Sequence, residues 1–116
     1  CAGVTSMART DDPNSANDQF FLMRAETEFL NRKYTSWGRM LQGLDVAKAL
    51  NVGEPPSQPD MVISAVVAAD IIPDKRPRAW VMRTDSAAFN AIVNQQDEGT
   101  AICDMPDVPS LVEFPQ

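Results

Sequence analysis

Short apolar runs, separated by loops rich in Asp, Asn, Ser and Pro, dominate the pattern along this chain and predict strands. Strands are enriched in β-branched and aromatic residues and are bounded by such turn residues. We expect strands at residues 4–7, 19–23, 34–41 and 61–72. The last of these segments is apolar enough to be buried on much of both faces and to close a sheet.

The predicted strand at residues 19–23 has two chemically different faces. Side chains alternate along a strand, so Gln19, Phe21 and Met23 share one face while Phe20 and Leu22 share the other. If Phe20 and Leu22 face a core, the opposite face carries an amide beside an aromatic ring. Such a face is more often half-buried sheet than a binding site, and the residues alone leave both interpretations open.

Helical spacing appears once in the first part of the chain. Leu44, Ala47 and Leu50 recur every three residues and predict a short helix that ends at Gly53. The three prolines of the following stretch, GEPPSQPD, exclude regular structure there.

Residues 73–116 differ in character, being charged and punctuated by proline. We expect a strand at residues 79–84, then a helix with Asp85 or Ser86 as N-cap and Gly99 beyond its end. The apolar stripe of this helix is Phe89, Ile92 and Val93. So short a segment makes a thin core, which favours an appendage packed on the main domain.

Composition excludes several functional classes. The chain has 116 residues, 44% of them hydrophobic, which is typical of one folded domain or a piece of one. The net charge of −6 provides no basic patch for nucleic acid. No apolar run approaches the roughly 18 to 20 residues of a membrane-spanning helix. Without histidine, the sequence predicts neither a metal site nor a cofactor.

The two cysteines, Cys1 and Cys103, allow either two free thiols or one disulfide, and the sequence does not decide between them. A chain that begins with Cys and reaches a strand almost at once is expected to have been cut or processed from a longer protein. A lipidated N-terminal Cys, the alternative, normally precedes a flexible spacer.

The residues of this chain can bind a ligand by hydrogen bonds and hydrophobic contacts. Without histidine, Ser-His and Cys-His nucleophile pairs are excluded, which leaves the face of Gln19 and Phe21. An apolar wall with one amide suits a proline ring. Isomerising an X-Pro bond needs neither nucleophile nor acid, because its barrier arises from amide resonance.

The stretch GVTSMARTDDPNSANDQFFLM, with FLNRKYTSWGRMLQGLDVAKAL and GEPP after it, resembles the second half of a cyclophilin, and bacterial members in particular. The resemblance implies peptidyl-prolyl cis-trans isomerase activity on an antiparallel β-barrel. The expected fold is therefore mainly β. Residues 1–72 would form a partial cyclophilin-like barrel with a short helix and without its N-terminal strands, and residues 73–116 a small strand-helix extension.

The resemblance also implies roles for individual residues. Gln19 would be catalytic, contacting the substrate near the isomerising bond, and Ala8 with Arg9 would offer backbone groups to the residue before proline. The proline pocket would be lined by Phe21, Phe29 and Leu30, with Tyr34 beside them.

One motif of the family is absent from these residues. The pattern FHRxxxxFxxQGGD carries the catalytic arginine, and none of the seven arginines here matches it. The resemblance therefore implies an isomerase for the parent protein, while this chain alone lacks the principal donor to the substrate carbonyl. A module that binds proline-containing peptides without catalysis, as a chaperone does, is the alternative.

Partners and location follow from the resemblance as expectations. Proline-containing polypeptides are the expected partners. The expected compartment is the periplasm, with the cytoplasm as alternative.

Overall fold

The computed structural model describes all residues from Cys1 to Gln116. They form two compact units. Unit 1 comprises Cys1–Ala49 and Ala101–Asp104, and unit 2 comprises Leu50–Thr100 and Met105–Gln116. The predicted division at residues 72 and 73 rests on the sequence resemblance and stays a prediction.

Five strands and two α-helices make up the regular structure. In chain order they are β1 (Val4–Met7), β2 (Phe20–Leu22), β3 (Ser36–Arg39), α1 (Leu44–Ala49), β4 (Arg78–Val81), α2 (Ala87–Asn94) and β5 (Ser110–Glu113). Single 3-10 turns lie at Pro13–Ser15, Glu28–Leu30, Ala68–Asp70 and Pro73–Lys75.

Unit 1 is built on an antiparallel sheet with the strand order β2-β1-β3. Ser6 lies opposite Phe21, and Thr5 lies opposite both Leu22 and Gly38. The pairing of β1 with β3 shifts register between Thr5 and Ser6. Because β1 is the middle strand, Thr5 and Ser6 are buried.

The predicted core face of β2 is exposed, which corrects the expectation for Phe20 and Leu22. Phe20 is 58% exposed and Leu22 is 39% exposed. Phe20 instead meets Trp37 of β3 edge to face, with ring centroids 5.9 Å apart. Since three strands form an open sheet and not a closed barrel, this face stays open to solvent.

The disulfide alternative is the one that the structure shows. Cys1 and Cys103 are bonded, with their Sγ atoms 2.02 Å apart, and this bond ties Ala101–Asp104 into unit 1. The helix α1 forms where its spacing predicts but ends at Ala49, four residues before Gly53. The Arg24 guanidinium donates to the Lys48 carbonyl, one of the carbonyls near the end of α1 that lack a partner within the helix.

The predicted strand at residues 61–72 is wrong. This segment contains only the 3-10 turn at Ala68–Asp70, and Ile63 is 97% exposed. Strand propensity depends on a neighbouring strand to complete the hydrogen-bond ladder and cover the side chains. No strand pairs with residues 61–67, so their apolar composition alone does not make a strand.

Unit 2 contains a two-stranded antiparallel sheet and one helix. In the sheet Arg78 lies opposite Glu113 and Trp80 opposite Leu111. The strand β5 was not predicted from the proline-rich tail. For α2 the structure decides the N-cap, because the Ser86 hydroxyl accepts from the Phe89 amide at 3.1 Å. Asp85 instead pairs with Arg83 at 2.6 Å.

Candidate functional site

Two depressions in unit 1 collect most of the predicted site residues. The first, which we name the Phe21 depression, has a volume of about 100 Å³. Its lining includes Ser6, Phe21, Met23, Leu30 and Tyr34. Ser6 and Phe21 are opposite each other on β1 and β2, so the sheet supplies the floor of this depression.

The second depression, which we name the Phe29 depression, has a volume of about 300 Å³. Its lining residues are Arg9, Thr10, Asp11, Phe29, Leu30, Lys33 and Tyr34. Leu30 and Tyr34 line both depressions. These two side chains therefore connect the depression on the sheet to the one beside it.

The 3-10 turn Glu28–Leu30 presents Phe29 to solvent. The Leu30 amide donates to the Thr27 carbonyl at 3.3 Å, which closes the turn. Phe29 is 70% exposed, so in this chain it forms an outer wall and is not packed in a core. A large exposed aromatic ring is available to contact a ligand.

Tyr34 packs against Phe21 inside the Phe21 depression. Their ring centroids are 5.4 Å apart and the ring planes are perpendicular at 90°. Edge-to-face contact is a favoured geometry because the positive edge of one ring meets the negative face of the other. The pair forms an apolar corner in this depression.

Arg9 also contacts the Tyr34 ring. Its guanidinium carbon is 5.3 Å from the ring centroid, within the range of a cation–π contact. The same guanidinium donates hydrogen bonds to three backbone carbonyls, those of Lys33, Thr10 and Asp11.

The loop that follows Arg9 is held by short polar side chains. The Asp12 carboxylate accepts from the Asn14 amide at 2.9 Å and begins the turn Pro13–Ser15. The Ser15 hydroxyl accepts from the Thr10 amide at 2.9 Å. These contacts explain why the run of Asp, Pro, Asn and Ser forms a defined loop.

Gln19 and Ala8 are joined through the backbone. The Ala8 amide donates to the Gln19 carbonyl at 2.9 Å, which extends the pairing of β1 and β2 beyond their ends. Gln19 is exposed and lines neither depression. Its predicted catalytic role, and the binding roles of the other six residues, stay predictions.

Sequence reasoning missed several lining residues. Alternation along the strand placed Met23 on the face of Phe21, but Met23 was not named among the site residues. Ser6 could not be found in this way, since its position opposite Phe21 depends on the pairing of β1 with β2. Lys33 enters the Phe29 depression through a loop whose path no periodicity predicts.

Comparison with known proteins agrees with this geometry. A family model described as cyclophilin type peptidyl-prolyl cis-trans isomerase/CLD matches residues 1–67. The chain belongs to this cyclophilin family. The mainly β fold is confirmed as well, with open sheets in place of a closed barrel.

Individual cyclophilins align with different shares of the chain. A probable peptidyl-prolyl cis-trans isomerase of Brucella abortus (strain 2308) is 38% identical over 73 residues, covering 59% of this chain and 37% of that protein. The peptidyl-prolyl cis-trans isomerase ppi1 of Schizosaccharomyces pombe is 37% identical over 70 residues, covering 56% of this chain and 44% of that protein.

A solved cyclophilin matches the whole chain. The crystal structure of cyclophilin AquaCyp293 from Hirschia baltica superposes with a TM-score of 0.85 and 55% identity, covering 100% of this chain and 44% of that one. The chain thus spans less than half the length of these relatives. No helix of this cyclophilin chain combines the length and the apolar composition that crossing a membrane requires.

Proposed function

We propose that the parent protein is a peptidyl-prolyl cis-trans isomerase and that this chain supplies the proline-binding half of its site. The observation that carries the proposal is the corner of Phe21, Leu30 and Tyr34 in the Phe21 depression, in a chain of the cyclophilin family. Proline-containing polypeptides are the substrates that such a corner fits.

The proposed mechanism needs shape and hydrogen bonding only. The barrier to rotation about an X-Pro bond, about 18 to 20 kcal/mol, arises from amide resonance. An enzyme lowers it by binding the twisted amide more tightly than the planar one. Phe21, Leu30 and Phe29 would hold the proline ring while the chain on its other side rotates.

Polar groups would orient the rest of the peptide. The exposed Gln19 amide can donate and accept, and it would contact the substrate beside the isomerising bond. Backbone groups of Ala8 and Arg9 would bind the residue before proline. The proposal assigns the arginine that stabilises the displaced carbonyl to the FHR-type motif, which these 116 residues lack.

A second candidate function is peptide binding without catalysis. The conformation of Arg9 favours it for this chain alone, because Nε and Nη1 of its guanidinium already donate to three backbone carbonyls within the protein. A chain with the pocket and without the arginine of the FHR-type motif would bind proline-containing peptides without accelerating their isomerisation.

Exchange spectroscopy by NMR on a peptide with one Ala-Pro bond distinguishes the two functions. We expect exchange catalysed by the parent protein, and at least tenfold slower exchange with Phe21→Ala, since about 1.4 kcal/mol of lost transition-state stabilisation has that effect. Phe20→Ala, on the opposite face of β2, is the matched control. If the parent protein binds the peptide without accelerating exchange, the second function is the correct one.

We also propose a periplasmic location. The disulfide between Cys1 and Cys103 supports it, because disulfides persist in oxidising compartments. Alkylation of the parent protein in cell fractions, with and without prior reduction, tests the proposal. Free thiols in a cytoplasmic fraction would contradict it.

A further inference from the structure

The Arg9 side chain joins two loops that are far apart in sequence. Its Nε donates to the Lys33 carbonyl at 2.8 Å, 24 residues away. Its Nη1 donates to the carbonyls of Thr10 at 2.8 Å and Asp11 at 3.1 Å, within its own loop. One planar cation therefore holds the loop after β1 against the loop before β3.

The same cation contacts the aromatic corner. Tyr34 follows Lys33 directly, and the centroid of its ring is 5.3 Å from the Arg9 guanidinium carbon and 5.4 Å from the Phe21 ring centroid. Neither Tyr34 nor Phe21 is fully buried, so packing alone does not lock their orientation. A contact that fixes the backbone at residue 33 and the ring at residue 34 sets where that ring points.

We propose that Arg9 is a positioning residue for proline binding, because its side chain orients Tyr34 against Phe21 and so shapes the apolar corner. This role rests on the proposed function and is separate from the backbone role assigned to Arg9 above. Arginine is required because a guanidinium can donate along several fixed directions while its flat face covers an aromatic ring, which a lysine ammonium cannot do.

The consequence for function is a loss of affinity for the proline ring. A corner whose Tyr34 wall samples several orientations must be ordered when the ligand binds, and that ordering costs binding free energy. The polar contacts of Gln19 and Ala8 do not involve the Arg9 side chain. Substitution of Arg9 is therefore expected to weaken substrate binding by the whole protein. The X-Pro bond should still be the bond that is isomerised.

Tyr34 can serve as a spectroscopic probe of the corner, and Arg24 can serve as a control residue. Tyr34 is the single tyrosine of the chain, so tyrosine-selective isotope labelling gives ring resonances from one residue only. Arg24 matches Arg9 as a control, since its guanidinium also donates to a carbonyl 24 residues away, that of Lys48. Arg24 lines neither depression.

The experiment compares Arg9→Gln, Arg9→Lys and Arg24→Gln in the 116-residue chain. It records the Tyr34 ring resonances, the melting temperature and the affinity for a blocked peptide with one Ala-Pro bond. We expect Arg9→Gln to shift the Tyr34 resonances and to weaken binding by about three- to tenfold, the range that corresponds to the net loss of one ordinary intramolecular hydrogen bond. Arg9→Lys should lie between wild type and Arg9→Gln, and Arg24→Gln should leave the Tyr34 resonances and the affinity unchanged.

Two results would overturn the inference. One is unchanged Tyr34 resonances in a folded Arg9→Gln chain, and the other is an equal loss of affinity in Arg24→Gln. If Arg9→Gln does not fold, the same criteria apply to Arg9→Lys. Failure of the proposed function gives a different result. The wild-type chain and its parent would then bind no proline peptide, while substitution of Arg9 would still shift the Tyr34 resonances.

Discussion

In the sheet of unit 1, Thr5 and Gly38 pack so closely that there is little room for a Cβ atom at position 38. Thr5 Oγ1 is buried and has no hydrogen-bond partner, and a Cβ atom at position 38 would lie 2.9 Å from it. A larger residue at position 38 would therefore force the Thr5 side chain or the two strands to shift. No periodicity in the sequence indicates this, because the contact depends on the register of two strands 33 residues apart.

We predict that Gly38→Ala destabilises unit 1 by about 1 to 3 kcal/mol, the usual cost of overpacking. The same substitution in a Thr5→Ala background should cost less, because the clashing hydroxyl is gone. Chemical denaturation of the four variants of this cycle measures both effects. Equal costs in the two backgrounds would show that the Thr5 hydroxyl is not the atom that clashes.

At the residue scale, alternation along β2 predicted only part of what surrounds Phe21. It separated Phe21 from Phe20, and Phe21 does line a depression. It did not predict the partners across the sheet, nor that Phe20 would be exposed. Which face is buried depends on what covers the sheet, and that information lies outside the strand itself.

Local signals decided which elements were predictable. The spacing of α1 and the N-cap of α2 are short-range features, and both helices form where these features place them. The segment 61–72 and the strand β5 were mispredicted for one reason. Pairing across a sheet selects strands, and Ser110–Glu113 has a partner in β4 whereas residues 61–67 have none.

The cap of α2 gives a prediction at this scale. Ser86→Ala should destabilise α2 by about 1 kcal/mol, because the Phe89 amide loses its acceptor. Asp85→Ala is the control, since Asp85 bonds to Arg83 at an exposed position and such pairs contribute little. Amide hydrogen exchange of residues 87–90 measures the difference. Equal exchange in the two variants would contradict the assignment of Ser86 as the cap.

At the scale of the whole molecule, the distribution of apolar side chains predicts self-association. Ala47 is the one buried hydrophobic residue, whereas Val62, Ile63 and Phe29 are each at least 70% exposed. Large exposed apolar patches and unpaired strand edges promote association. Sedimentation of the isolated chain should show concentration-dependent oligomers. A chain that sediments as a monomer at every concentration would contradict this prediction.

The disulfide is the other feature that acts over the whole chain. It joins residues 102 positions apart, and closing a loop of that length stabilises the folded state by up to about 4 to 5 kcal/mol in the chain-entropy account. Cys103→Ser should therefore lower the melting temperature, and reduction of the wild type should lower it equally. A reduced wild type that melts like the oxidised one would show that the bond contributes little.

The central claim is that Phe21, Leu30 and Tyr34 form a corner that binds proline. The most direct test is an NMR titration of the 116-residue chain with a blocked peptide containing one Ala-Pro bond and with a matched Ala-Ala peptide. The account predicts that only the proline peptide shifts resonances, and that those shifts concentrate at these three residues. Equal responses to both peptides, or shifts elsewhere in the chain, would contradict it.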